Sequence, residues 1–284
     1  MTVALLERRG YAVSPARLAH ICLGGALAVE AVNAAIGESG LRLESGLVTS
    51  AEGRGRAEAI VSRQSDHGQV AERYLVEAER FARRLCAWFP FVVSVSIAGS
   101  LASGGFRETD DVDLNLVVED GHRHLAYVAL NLLGIVHALG HRGKPVDVHT
   151  ARPLVPRLMT ANLVLQRADC FPLARQDVDM AYELLASRPV VGAGFLAAVY
   201  AANPGLTRHF PQLAVGAAEN TLPVAGRLPG WLFPAWLDGP ARVLGRAAWR
   251  YMQWTRRHRP EAVARVAFVR ATMRPYALFD EVEG

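Results

Sequence analysis

One nine-residue run, DDVDLNLVV at 110 to 118, narrows the possible folds more than any other stretch of the chain. Val112, Leu114, Leu116 and Val118 recur at every second position, the period of a β-strand that turns one face to an apolar core. The other side of the same strand carries Asp111, Asp113 and Asn115. Asp is favoured in turns, which accounts for Asp110 and Asp111. It does not account for Asp113, set inside the strand, where an unpaired carboxylate in dry surroundings is costly. Two carboxylates on one face repel each other unless a cation stands between them. Mg²⁺ commonly takes one or two carboxylates together with the oxygens of a substrate phosphate.

Composition sets the outer limits. At 284 residues the chain is long enough for two or three small units with a core of ordinary size. With 51% hydrophobic and 20% charged residues it reads as globular rather than disordered. No uninterrupted apolar run reaches the roughly 18 residues that span a bilayer, so no membrane association is expected. The start, MTVALLERRG, has no basic segment ahead of an apolar one, and no secretory signal is expected. Cys22, Cys86 and Cys170 are far apart and without paired spacing, as suits buried thiols in a reducing compartment. The expected location is cytoplasmic. The net charge of +4 is modest and dispersed, which permits anionic ligands without marking a nucleic-acid binder. Lys144 is the only lysine among 31 basic residues.

Three regions follow from the patterning. Residues 1–60 read as a separate small unit: helical spacing broken at Gly24-Gly25, then LRLESGLVTS alternating around Ser45-Gly46 as a hairpin does. Helices followed by a two-stranded wing suggest a winged-helix-like unit. Its supposed recognition helix has no Lys or Arg, so packing or dimerisation is favoured over DNA binding. Residues 61–175 hold the strand-rich part. Tyr74, Leu75, Ala78, Phe81, Ala82 and Leu85 mark one face of a long helix within 53–88, its arginines read as solvated. FVVSVSIA and VDLNLVV read as strands, with a helix through 122–139 and a short third strand, PVDVHT, at 145–150. This is an α+β arrangement, a mixed sheet with helices on one side. Residues 176–284 read as helical, with a break near Pro189 and Gly192 and a Pro-, Gly- and Trp-rich loop before the last helices.

Chemistry gathers around the strand. Asp147, between apolar neighbours in PVDVH, repeats the local arrangement of Asp113, and three carboxylates on two strands suit a two-metal centre. Gly99-Ser100 closes the preceding strand; glycine permits close backbone approach, and the serine offers a hydroxyl and an N–H to a phosphate. Apolar-Gly-Ser, a spacer, Asp-x-Asp in a strand and a later apolar-Asp-apolar together resemble the signature of the nucleotidyltransferase superfamily related to DNA polymerase beta, over residues 97 to 149. More widely the chain is similar to bacterial nucleotidyltransferase-domain proteins of unassigned substrate. The resemblance implies a catalytic domain that moves an NMP from an NTP such as ATP to an acceptor hydroxyl, on a small molecule or a protein, releasing pyrophosphate. Gly99 and Ser100 would hold the triphosphate, with Arg107 the spacer's one cation. Asp111, Asp113 and Asp147 would bind two Mg²⁺ ions, Asp147 also deprotonating the acceptor. Tyr182, with Glu183, lies on a later helix where this superfamily often places nucleoside contacts. The alternatives are a nucleotide-binding regulatory protein without turnover, and a DNA-binding regulator built on the first unit.

The remaining candidates read as structural. His122, His124, His137, His141 and His149 have spacings that make no zinc set, His122 and His124 being solvated residues at a helix start. Arg242, Arg246 and Arg250 form a solvated stripe, and Trp231 and Trp236 read as packing anchors. Asp169 and Asp177 stand next in line should Asp147 not be the third carboxylate.

Overall fold

A computed structural model describes residues 1–50, 57–141, 143–145, 158–216 and 223–260, with single positions beyond (263, 264, 267, 276, 278 and 279). The chain opens with α1 (Thr2–Arg8), α2 (Pro15–His20) and α3 (Val29–Glu38), followed by the hairpin β1 (Arg42–Glu44) and β2 (Leu47–Thr49). Ser45 and Gly46 both take positive φ, 49° and 80°, as the two-residue turn of a right-twisted hairpin requires. Val13 bridges to Val48, so a third extended segment joins the hairpin.

Next come α4 (Ala57–Trp88), β3 (Val92–Ala98), α5 (Gly99–Ser103), β4 (Val112–Val118), α6 (Arg123–Ala138) and β5 (Met159–Gln166). After them run α7 (Val178–Ala186), β6 (Arg188–Val191), α8 (Ala193–Ala202), α9 (Pro204–His209), α10 (Gln212–Gly216) and α11 (Asp238–Arg256). The four-stranded sheet has the order β5-β4-β3-β6. β3 is antiparallel to β4 and β6, whereas β4 and β5 run parallel, so the sheet is mixed. The fold is α+β in this coarse sense.

Helices cover both faces of the sheet, not one. Val112, Leu114, Leu116 and Val118 pack with Tyr74, Phe81 and Leu85 of α4 and Ala126, Ala129 and Leu130 of α6. Val117, Leu163 and Leu165 face the other way, into a core shared with Leu6, Leu18 and Val32 of the N-terminal helices and Met180, Tyr182 and Phe210. The first fifty residues therefore bury their apolar side against the rest of the chain instead of closing on a core of their own. Hydrogen bonds reinforce the join: the Gly24 backbone N donates to His209 O at 2.8 Å, and the Gln212 side-chain Nε2 donates to the carbonyls of His20 and Cys22 at 3.0 and 2.9 Å.

One described helical segment, Arg123–His141, is long and apolar enough to cross a membrane by length and composition. Its buried residues form a layer of the fold against the sheet. The strand expected at 145–150, with Asp147 and His149, and most of the final helix lie outside the described residues.

Candidate functional site

The register of β3 and β4 places Ala98 opposite Asp113, so the Gly-Ser corner folds back over the aspartate row. Gly99 has φ +62°, and a Cβ built there would lie 2.2 Å from Asp113 Oδ2. Only glycine serves at this point, because any side chain would collide with the carboxylate and also strain the backbone. The other oxygen, Oδ1, accepts from Thr160 Oγ1 at 2.8 Å, across the parallel pair of β4 and β5. Asp111, half-buried, leads into the strand on the same side by alternation. Asp113 is thus brought against Gly99, with Asp111 two residues before it in the chain, while Asp147 lies outside the described residues.

Ser100 is 4% exposed, and its hydroxyl donates to Asp110 Oδ2 at 3.2 Å. That same oxygen accepts from the Arg107 backbone N–H at 3.1 Å and from Arg63 NH2 at 2.8 Å. Asp110 is therefore the hub that closes the loop between α5 and β4. Arg63 also donates from Nε to Gly105 O, and His67 Nδ1 accepts from the Phe106 N–H at 3.1 Å. Arg107 lies 3.3 Å from Asp66 and Glu108 lies 3.8 Å from Arg73. The polar face of α4 is thus partly spent on holding this loop, and Arg63 is not a solvated arginine. Because His67 Nδ1 accepts a hydrogen bond, the ring is neutral there, and burial lowers its pKa.

Two arrangements were not foreseen by sequence reasoning, although it named Asn115 and Glu183 individually. Lys144 is 7% exposed and its ammonium donates to the Asp110 carbonyl at 2.9 Å. Its being the sole lysine was the available signal. The second is a polar chain that continues the aspartate row. Asn162 Nδ2 donates to Asn115 Oδ1 at 2.8 Å and to Glu183 Oε1 at 2.7 Å, and Asn115 Nδ2 reaches Glu183 at 3.4 Å. Arg9 closes it, 3.4 Å from Glu183 and 3.1 Å from Asp179. Tyr182, by contrast, is 5% exposed, packed near Phe210 with the Arg9 guanidinium over its ring. Burial pushes its hydroxyl pKa up to about 12.

Other residues sit differently from their sequence reading. Both ring nitrogens of His122 meet carbonyls, Asp120 O at 2.9 Å and Phe233 O at 2.7 Å, and the ring stacks on Phe91. His124 Nδ1 pairs with Asp238 Oδ2 at 2.7 Å, while Asp238 Oδ1 accepts the backbone N–H groups of His124 and Leu125. These histidines fasten α11 and its approach to the start of α6 instead of facing solvent. Burial raises the pKa of Asp238, but the His124 and backbone bonds outweigh it and leave the group lowered. Trp231 and Trp236 are 78% and 70% exposed; Phe233 is the loop's anchor, against Phe89 and Phe91. Asp169 Oδ2 accepts from Gln166 N, and Asp177 caps α7, so both fallback carboxylates are engaged in local structure. All three cysteines are free, and burial pushes Cys86 and Cys170 up to about 12. Arg242 and Arg250 are exposed and Arg246 half-buried on α11.

Comparison with protein-family models, curated proteins and solved structures finds no match for this chain.

Proposed function

We propose that this protein is a metal-dependent nucleotidyltransferase that moves an NMP from an NTP to an acceptor hydroxyl, on a small molecule or a protein, and releases pyrophosphate. The observation that carries the reading is the seating of Asp113. A carboxylate inside a strand stands against a glycine held at φ +62°, at a corner where no other residue fits. An apolar core does not need such an arrangement, and a phosphate brought close to bare backbone beside paired carboxylates does.

The donor set fits Mg²⁺: the candidate ligands are the carboxylates of Asp111, just before β4, and Asp113 within it, and the ion commonly takes one or two of these plus phosphate oxygens. When bound, Mg²⁺ offsets charge on the triphosphate and polarises the reacting phosphoryl group. Asp111 and Asp113 would hold the ion, with Thr160 fixing the Asp113 rotamer through Oδ1. Gly99 leaves the backbone open to the phosphates, and Asp110, through Ser100 and Arg107, holds the loop that carries them. The acceptor oxygen attacks the α-phosphorus, the bond to the bridging oxygen breaks, and pyrophosphate leaves. The acceptor proton passes to Asp147 in this reading. Catalysis is then positioning plus charge neutralisation. A cytoplasmic location, read from the three unpaired thiols, belongs to the same proposal.

A second reading, a nucleotide-binding regulatory protein without turnover, is favoured by Lys144. Its buried ammonium brings a fixed positive charge to the carboxylate corner, which lessens the need for a metal. As for the N-terminal region, its order of helix, bridging residue, two helices and hairpin is compatible with the winged-helix-like reading. We read it as a packing element, since α3 carries Glu30 and Glu38 and no Lys or Arg.

The test is equilibrium binding of labelled NTP with Mg²⁺, followed by pyrophosphate release over candidate acceptors. Binding with turnover supports the transferase; binding alone supports the regulator. Absence of both overturns the two readings together.

A further inference from the structure

Glu77 on α4 and His137 and His141 at the end of α6 bring their ligand atoms within 4.8 Å of one another, with no part in the site described above. His137 Nε2 lies 3.4 Å and His141 Nε2 3.8 Å from the same oxygen, Glu77 Oε2. The edge of a tetrahedron with ligand bonds of about 2.0–2.1 Å is about 3.4 Å, so these separations suit a shared ion. The His137 Nε2 atom is buried and has no hydrogen-bond partner among the described residues. A buried ring nitrogen of this kind is unusual unless something else occupies its lone pair.

The surrounding contacts orient all three groups as ligands. His141 Nδ1 donates to the His137 carbonyl at 3.1 Å, which leaves the Nε2 lone pair directed at Glu77. Arg80 lies 3.5 Å from the other carboxylate oxygen, Glu77 Oε1, so Oε2 remains for the imidazoles. Phe81 holds the His137 ring edge-on at 5.5 Å, and the two imidazoles are 4.7 Å apart. Burial lowers the His137 pKa, the neighbouring His141 and Arg84 act in the same direction, and the Glu77 charge opposes them.

We propose that Glu77, His137 and His141 form a binding site for a zinc-class transition-metal ion that ties the end of α6 to α4. Two imidazoles and one carboxylate, with an open fourth position for water, favour Zn²⁺ and its neighbours over Mg²⁺, which prefers oxygen donors. The ion also fixes the turn that presents Lys144, whose N–H donates to His141 O at 2.9 Å while its ammonium reaches Asp110. The histidine spacings were read in sequence as making no zinc set, because the carboxylate lies sixty residues upstream on another helix.

The test uses the full chain, stripped with a chelator and titrated with Co²⁺, read by visible absorption, then competed with Zn²⁺. The expected result is one ion per chain, a rise in Tm with Zn²⁺, and affinity lowered at least about a hundredfold in both His141→Ala and Glu77→Gln. His141 is chosen because it is the more exposed of the two rings. Circular dichroism checks that each variant is folded, and Asp113→Ala keeps wild-type affinity. The proposal is overturned if the wild-type chain binds no ion, if either variant binds as tightly as wild type, or if Asp113→Ala is what removes binding.

Discussion

β4 buries Leu114 and Leu116 on one side and carries half-buried Asp113 and buried Asn115 on the other, so a single strand faces two different environments. The leucine side meets α4 and α6 through close-packed apolar surface, where burial itself supplies the stability. The aspartate side carries Thr160, Asn162 and Glu183, whose part-buried hydrogen bonds satisfy groups that have lost much of their contact with water. The polar end of that face gives little net stability for what it contains, in contrast to Val117 further along, which joins the apolar core of the N-terminal helices. Its presence in the middle of the sheet is the physical reason to place a function there.

Substitutions on the two faces should therefore fail differently. Leu114→Ala leaves a cavity at a fully buried position and should cost about 2–5 kcal/mol in denaturant unfolding, the largest effect expected here. Gly99→Ala should follow: a left-handed backbone costs about 1–2 kcal/mol for other residues, and the Asp113 carboxylate must also move. It should lose NTP binding as well, which Leu114→Ala, if folded, should keep; equal loss in both would break the distinction between the faces. Glu183→Leu leaves the Asn162 and Asn115 amides short of an acceptor and should cost about 1–3 kcal/mol, read as a fall in Tm.

The smallest expected effect concerns pH. The folded-state pKa of His67 is lowered, so its contribution is fully present above the unfolded value of about 6.5 and is lost as pH falls through the folded value. Tm should decline on acidification below about pH 6.5. His137, lowered likewise, acts in the same direction. His67→Asn keeps an acceptor for the Phe106 N–H but does not titrate, so its profile should be flatter than that of wild type. An unchanged slope would remove His67 from the account.

How much of this was legible in sequence depended on the range of the interactions. β4 was read to its ends because alternation is local, and α4 and α6 because helical spacing is. β6 was read as a break, since Pro189 marks one in isolation; proline is tolerated there because, among the described residues, β6 is an edge strand paired only with β3. β5 was missed altogether, its MTANLVLQ run bulging at Asn162 and so blurring the alternation. Gly99, Asp111 and Asp113 stood out by spacing, whereas Glu183 reaches Asn115 from 68 residues away and Arg9 reaches Glu183 from 174. Nothing local encodes such pairings. The two exposed tryptophans and the anchored histidines 122 and 124 show the same limit, because which side chain a loop buries is decided by the element it lands on.

The central claim is that Asp113 serves a ligand and not the fold, and Asp113→Ala tests it most directly. Apo stability and Mg²⁺-NTP-induced stabilisation are measured on the same folded sample, with pyrophosphate release alongside. The account predicts an apo Tm equal to or above that of wild type, because like-charge repulsion with Asp111 is relieved. It also predicts no NTP-dependent shift and no turnover. A variant that melts far lower yet still binds and turns over Mg²⁺-NTP would make Asp113 a structural residue and contradict the account.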